Sequence, residues 1–288
     1  MSIKQLKGKV AVVTGAGSGI GQATAIALAQ EGCHLALSDI DDVRLQKTRS
    51  QIEALGVKVS SHSLNVADKD AFHQYAGDVY KEFGQVNIVL NNAGVAHGAD
   101  LESTTYNDFE WLMGINFWGM VYGSKAFLPY LKKSGEGVIV NISSIMGFIA
   151  PGGSGAYNCS KFAIRGFSET LRMELDIEDC GVSCISVHPG FIKTNIFQSS
   201  RMDETLLSDH DLTKTEVANL VSRLAPTTPE KAASIIVKGI KKNKMRILVG
   251  PDAVIVDCMV RYFPQLWRKA AVLGWRKYGD RFIGSAAK

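Results

Sequence analysis

Lys9-Val-Ala-Val-Val-Thr14-Gly15-Ala-Gly-Ser-Gly19-Ile-Gly21 is the stretch whose reading decides the fold. Val10 to Thr14 is a short run rich in β-branched residues, the pattern of a strand buried on both faces of a parallel sheet. Glycines at 15, 19 and 21 follow at once, and then Gln22 to Gln30, an alanine-rich stretch with strong helix propensity. Strand, glycine turn and helix in that order are the setting of a dinucleotide-binding loop. Glycine lets the backbone turn sharply and come close to a pyrophosphate, while the first N–H groups of the helix favour an anion. Thr14, Gly15, Ser18, Gly19, Ile20 and Gly21 are the candidate cofactor-binding residues of this loop.

Outward from the loop, His34-Leu-Ala-Leu-Ser38 is a second apolar run, ending at Asp39. A carboxylate in that place can accept hydrogen bonds from an adenosine ribose and would repel a 2′-phosphate. No Arg or Lys occupies residues 15–21 or residue 40, so NAD is expected in preference to NADP. The competing reading makes Asp39 a lead-in to the next helix, with Asp41 and Asp42 as cap candidates.

Further strands are expected near 57–63, 86–90, 137–142, 182–187 and 246–249. Helical patterns lie near 20–31, 41–55, 68–83, 105–132, 156–179 and 229–243. The alternation predicts an α/β, doubly wound, Rossmann-type fold: seven parallel strands with helices on both faces, in one domain over 1–288. Ligands then bind beyond the carboxyl ends of the strands.

With 288 residues, 46% hydrophobic and 21% charged, the chain can bury the core of a globular enzyme. The net charge of +4 is scattered, which argues against a nucleic-acid partner. Five cysteines (Cys33, Cys159, Cys180, Cys184 and Cys258) lack the spacing of a disulfide framework or a zinc site, so no metal is expected. Reduced thiols and the lack of any signal-peptide or membrane-span pattern point to the cytoplasm.

Tyr157 and Lys161 stand four residues apart in Ala-Tyr-Asn-Cys-Ser-Lys-Phe-Ala, thirteen residues after Ser144. On a helix that step puts phenol and ammonium on one face, where the cation favours the phenolate. By itself the pattern also fits an ordinary half-buried helix.

Together these residues resemble the short-chain dehydrogenase/reductase family over nearly the whole chain. Thr14-Gly15-Ala-Gly-Ser-Gly19-Ile-Gly21 is followed by Asn91-Asn92-Ala93-Gly94, Asn116, Asn141-Ile-Ser-Ser144, Tyr157-Asn-Cys-Ser-Lys161 and Pro189-Gly190, in the family's order. The resemblance implies a catalytic set of Asn116, Ser144, Tyr157 and Lys161 in an NAD(P)-dependent alcohol dehydrogenase or ketone reductase. On that resemblance Tyr157 is expected to be the acid/base, Ser144 to orient the substrate, Lys161 to lower the phenol's pKa and bind the ribose, and Asn116 to relay protons. It also implies cofactor contacts at Asn65, Val66, Asn92, Ala93, Gly94, Pro189, Gly190, Ile192 and Thr194, and a homodimer or homotetramer. Asn65 stands where the family usually has Asp, and His188 where it often has Asn.

Residues 191–226 form a long insertion expected to act as a substrate lid. Its apolar entry (Phe191, Ile192, Ile196 and Phe197), with Ile145, Met146, Phe148 and Ile149, suggests an apolar pocket for a lipophilic alcohol or ketone such as a steroid, retinoid or long-chain alcohol. The same side chains could equally be core. The C-terminal extension, 253–288, interleaves apolar residues with Trp267, Arg268, Lys269, Trp275, Arg276 and Lys277. That pattern fits peripheral contact with a membrane surface, or packing on the domain or another subunit. The alternative activity is an NADPH-dependent 3-oxoacyl thioester reductase, which would favour a basic residue in the loop. A different class, a non-catalytic NAD-sensing protein, would lack part of the catalytic set.

Overall fold

The computed structural model describes residues 3–194, 196, 200–203, 213, 215–216, 219, 222–223 and 225–284. Its strands are β1 (Val10–Thr14), β2 (His34–Asp39), β3 (Val59–Ser63), β4 (Ile88–Asn91), β5 (His97–Gly98), β6 (Gly137–Ile142), β7 (Val182–Pro189), β8 (Arg201–Met202) and β9 (Arg246–Val249). Seven of them form one sheet in the order β3-β2-β1-β4-β6-β7-β9, and every pairing is parallel. The two short strands, β5 and β8, pair only with each other. All seven expected strands are present, and the fold is the doubly wound one read from the sequence.

Parallel neighbours need crossovers, supplied by α1 (Gly19–Gln30), α2 (Asp42–Glu53), α3 (Lys69–Phe83), α4 (Tyr106–Met113), α5 (Gly119–Lys133), α6 (Gly155–Glu178) and α7 (Pro229–Lys241). Alternate residues of β1 serve opposite cores. Ala11 and Val13 pack with Leu28, Leu45 and Ile236 on one side, and Val12 packs with Phe72 and Phe127 on the other. A strand covered on both faces must be apolar throughout, which is why β1 shows no polar alternation. Local side chains set the helix starts: Asp41, Asp68 and Thr228 each accept a backbone N–H at the N-terminus of α2, α3 and α7.

One expected helix is divided. Residues 105–132 form α4, a π turn over Gly114–Trp118, and α5. An extra residue in a π turn leaves the apolar periodicity on either side almost intact, so the sequence pattern does not reveal it. Asn116 lies in that turn.

Two further helices follow β9. α8 (Pro251–Tyr262) packs Ala253 and Val256 against Ile145 and Phe148. α9 (Leu266–Gly284) exposes Leu266, Val272 and Leu273. The expected lid falls largely outside the described residues, Phe197 included. Its described parts include the entry, where Ile192 bridges to Thr227, β8, and scattered residues between 213 and 226. No helix among the described residues is long and apolar enough to cross a membrane.

Candidate active site

The sheet order reverses between β1 and β4, and the loops leaving the strands' carboxyl ends enclose a cavity of about 590 Å³ there. At one end is the glycine loop. Gly15 has φ +64°, a left-handed conformation that an L side chain rarely adopts. A Cβ on Gly21 would collide with the Gly15 carbonyl and the Asn92 amide, so helix and turn are locked at a separation only glycine allows. Asn92 completes the lock by donating through Nδ2 to the carbonyls of Thr14 (3.0 Å) and Gly15 (3.1 Å). Thr14 Oγ1 in turn accepts from the Asn92 and Ala93 N–H groups.

Ser18, the N-cap of α1, makes no side-chain cap bond, and both it and the start of the helix face the cavity. Asp39 borders the same end, accepting from Gly17 N (2.8 Å) and Asp41 N (3.0 Å). Such a cradle, backed by glycines that a Cβ would fill, fits a dinucleotide whose pyrophosphate meets the N-terminus of α1.

At the other end Ser144, Tyr157 and Lys161 line the cavity. Ser144 follows β6 and opens a 3₁₀ turn. Its Oγ accepts from Met146 N (3.1 Å), leaving the hydroxyl proton free to donate. Tyr157 and Lys161 lie one turn apart on α6, with Lys161 Nζ 5.3 Å from the phenol ring centre and donating to the Ile142 carbonyl (3.2 Å). The strand end is anchored to the helix by Ser143 Oγ, which donates to the Lys161 carbonyl (2.8 Å).

Asn116 sits behind this group. It accepts from Val95 N (2.8 Å) and donates to the Val95 carbonyl (3.0 Å) and Ser160 Oγ (3.2 Å). The hydrogen at Gly94 faces the gap beside it: a Cβ there would stand 3.2 Å from Asn116 Oδ1 and 3.7 Å from Lys161 Nζ.

Burial dominates the electrostatics. It pushes the Tyr157 phenol up to about 12, opposed by its contact with Ser144. It pulls Lys161 down to about 8. Both groups are desolvated, and Lys161 lies beside the phenol ring, the position from which an ammonium would favour the phenolate. His188, buried in β7, falls to about 4 for the same reason.

The sequence pattern of the short chain dehydrogenase family matches residues 9–205. A Mycobacterium tuberculosis protein named as an oxidoreductase, SadH, is 41% identical over 276 residues, covering 96% of this chain and 98% of its own. Estradiol 17-beta-dehydrogenase 11 from Pongo abelii is 30% identical over 281 residues, 97% of this chain and 86% of its own. Among solved structures, a Burkholderia phymatum short chain dehydrogenase/reductase in complex with NAD superposes with TM-score 0.84 at 28% identity, covering 91% of this chain and 96% of that one. The chain belongs to the short chain dehydrogenase family. It is an oxidoreductase by family, and NAD(P) is that family's cofactor.

Most of the cofactor candidates line the cavity of this short chain dehydrogenase: Gly15, Ser18, Gly19, Ile20, Asp39, Asn65, Val66, Asn92, Ala93, Gly94, Tyr157, Lys161, Pro189, Gly190, Ile192 and Thr194. Thr14, Gly21 and Asn116 instead stand behind its wall. Of the proposed pocket walls, Phe191, Ile192, Ile196, Ile145 and Met146 face the cavity. Phe148 and Ile149 belong to core packing, Phe148 stacking on His188 at 4.1 Å. The sequence reading missed Arg44 and His97, which also line the cavity. Arg44 lies one turn into α2, beyond the strand-end position searched for a basic residue. His97 sits on β5, a strand too short to leave a pattern.

Proposed function

We propose that this protein is an NAD-dependent oxidoreductase that interconverts a secondary alcohol and a ketone carried on an apolar body. The carrying observation is that Tyr157, Ser144 and Lys161 face one end of the cavity whose other end is the glycine loop and Asp39. A bound dinucleotide supplies the hydride acceptor or donor. The Ser144 hydroxyl, held from behind by Met146 N, donates to the substrate oxygen and orients it. Tyr157 gives its proton to that oxygen in reduction and takes it back in oxidation. Lys161, with donors left over from its bond to Ile142, binds the ribose and offsets charge on the phenol. Asn116 and Lys161 both lie beside Gly94, and Asn116 is assigned the proton-relay role.

Asp39 supports NAD over NADP, since a carboxylate at the ribose end repels a 2′-phosphate. The wall formed by Ile145, Met146, Phe191, Ile192 and Ile196 supports an apolar substrate, as does the steroid named for one relative. A 3-oxoacyl thioester reductase is the second reading within the family, and the basic pocket residue Arg44 is the observation that favours it. The exposed apolar residues of α8, α9 and the link between them (Ile255, Tyr262, Phe263, Leu266 and Leu273), beside Arg268 and Lys269, support peripheral attachment to an anionic lipid surface. A homo-oligomer is proposed from exposed Trp118, Phe162, Met173 and Ile177 on and before α5 and on α6.

The test is NADH absorbance with hydroxysteroids, retinol, aliphatic secondary alcohols and 3-hydroxyacyl thioesters, each with NAD and with NADP. Turnover of a lipophilic alcohol with NAD is the expected result. Thioester turnover with NADP alone would overturn it. In the active assay Tyr157→Phe should lower kcat by on the order of a thousandfold and leave NADH affinity within about twofold.

A further inference from the structure

We propose that Arg44 is a cofactor-selecting residue withheld by Asp41, so that rejection of a 2′-phosphate belongs to Asp39, Asp41 and Arg44 together. This rests on the reading of the cavity as a dinucleotide site. Arg44 lines the cavity beside Asp39 and Asp41. Its stem lies against the glycine loop: a Cβ on Gly17 would stand 3.1 Å from Arg44 Cβ and 2.9 Å from Asp39 Oδ2. A basic side chain therefore borders this end of the cavity with its Nε on Asp41, although the glycine loop and residue 40 contain no basic residue.

A continuous chain of contacts sets its state. Gly17 N donates to Asp39 Oδ2 (2.8 Å), and Asp41 N donates to Asp39 Oδ1 (3.0 Å). Asp41 Oδ1 caps α2 by accepting from Arg44 N (3.0 Å), and its Oδ2 pairs with Arg44 Nε (3.1 Å). One guanidinium is thus paired with Asp41, whose backbone N–H is in turn held by Asp39, and the three side chains sum to a negative charge. A phosphate would meet repulsion from Asp39 and a cation already committed to Asp41. Arginine is the side chain best suited to grip a phosphate through two parallel N–H groups once its own partner is removed.

Asp41→Asn separates the two roles of Asp41. Asparagine still caps the helix, but it no longer neutralises Arg44. Specificity is a difference of affinities, so the readout is the ratio of NADPH to NADH dissociation constants, measured by fluorescence titration without turnover. The expected result is a ratio that falls by about fivefold or more in Asp41→Asn through tighter NADPH binding, with NADH within about twofold of wild type. Adding Arg44→Ala should return the ratio to its starting value. The same comparison in an Asp39→Ser background removes the direct repulsion and should enlarge the effect.

An unmoved ratio in both backgrounds overturns the proposal. So does a gain that survives Arg44→Ala, because removal of negative charge alone would then explain it. Wild-type protein that fails to bind NADH sinks the dinucleotide reading itself. Normal NADH binding with an unmoved ratio sinks only the role of Arg44.

Discussion

Burial works against the charged forms of Tyr157 and Lys161, from opposite sides of neutrality. With the phenol raised to about 12, Tyr157 is protonated near pH 7, so under the proposed mechanism reduction starts from the form already present. Oxidation needs the phenolate. Its kcat/KM should therefore rise from pH 7, approaching on the order of tenfold per unit while the phenol is mostly protonated, whereas reduction should not rise and should fall as Lys161, at about 8, gives up its proton. Equal pH profiles in the two directions would remove Tyr157 as the proton carrier. His188 makes a second statement at this scale. The Ser144 carbonyl can only accept, so the ring's Nδ1 carries the proton donated to it (2.9 Å), and Nε2 accepts from Ser186 Oγ (2.8 Å). Burial lowers the folded pKa to about 4, whereas the unfolded chain takes up its proton near 6.5. Between those values the unfolded state binds more protons, so stability falls as pH falls, by about 3 kcal/mol once the window is crossed. Urea denaturation at pH 7 and 4.5 should show that loss in the wild type and much less of it in His188→Asn.

Elements were legible where burial imposes a period, and illegible where function interrupts it. β1, β4 and β6 are buried throughout, so runs dominated by apolar residues betrayed them. The glycine loop was readable because only glycine satisfies both the φ of Gly15 and the approach of Gly21. The π turn carrying Asn116 was not, since an inserted residue changes the direction of one side chain and little of the pattern. Nor was the wall built by β5, a two-residue strand held by pairing with β8. Packing between α3 and α5 gives a test at this scale. A Cβ on Gly77 of α3 would meet only the Tyr130 hydroxyl at 3.9 Å. Gly77→Ala should therefore stabilise by about 0.5–1 kcal/mol through helix propensity alone. Gly123 of α5 is the opposite case: its Cβ would strike Asn91 Oδ1 and come within 2.8 Å of Phe72 Cζ. That disturbs a buried network in which Asn91 Nδ2 donates to Ser124 Oγ (3.1 Å) and Asn141 Oδ1 (2.8 Å). Gly123→Ala should cost about 1–3 kcal/mol. Thermal melts that move in the same direction for both would contradict this account of the interface.

Across the whole molecule, the carboxyl-terminal helices join the loop after β7 to the outer surface. Asp252, in the first turn of α8, accepts from Phe191 N (2.6 Å), and its carboxylate occupies the space a side chain on Gly190 would need. The Pro189-Gly190 segment of the candidate site is therefore braced by the beginning of the tail. On the outer face of α8 and past its end, Ile255, Tyr262, Phe263 and Leu266 are exposed, and Arg268 and Lys269 follow them. These two parts should separate on truncation. Ending the chain at residue 265 removes α9 and keeps Asp252, so NADH affinity should stay within about twofold while co-sedimentation with vesicles rich in anionic lipid falls severalfold. Adding Asp252→Asn to the full chain should do the reverse. It removes the charge from the hydrogen bond to Phe191 N, worth about 1–2 kcal/mol, and so weakens NADH several-fold with vesicle binding unchanged. If the shortened chain folds, binds NADH and still sediments with vesicles as the full chain does, the lipid surface is not on α9. If it loses NADH along with vesicle binding, α9 braces the domain, and its exposed apolar residues belong to the fold's own stability.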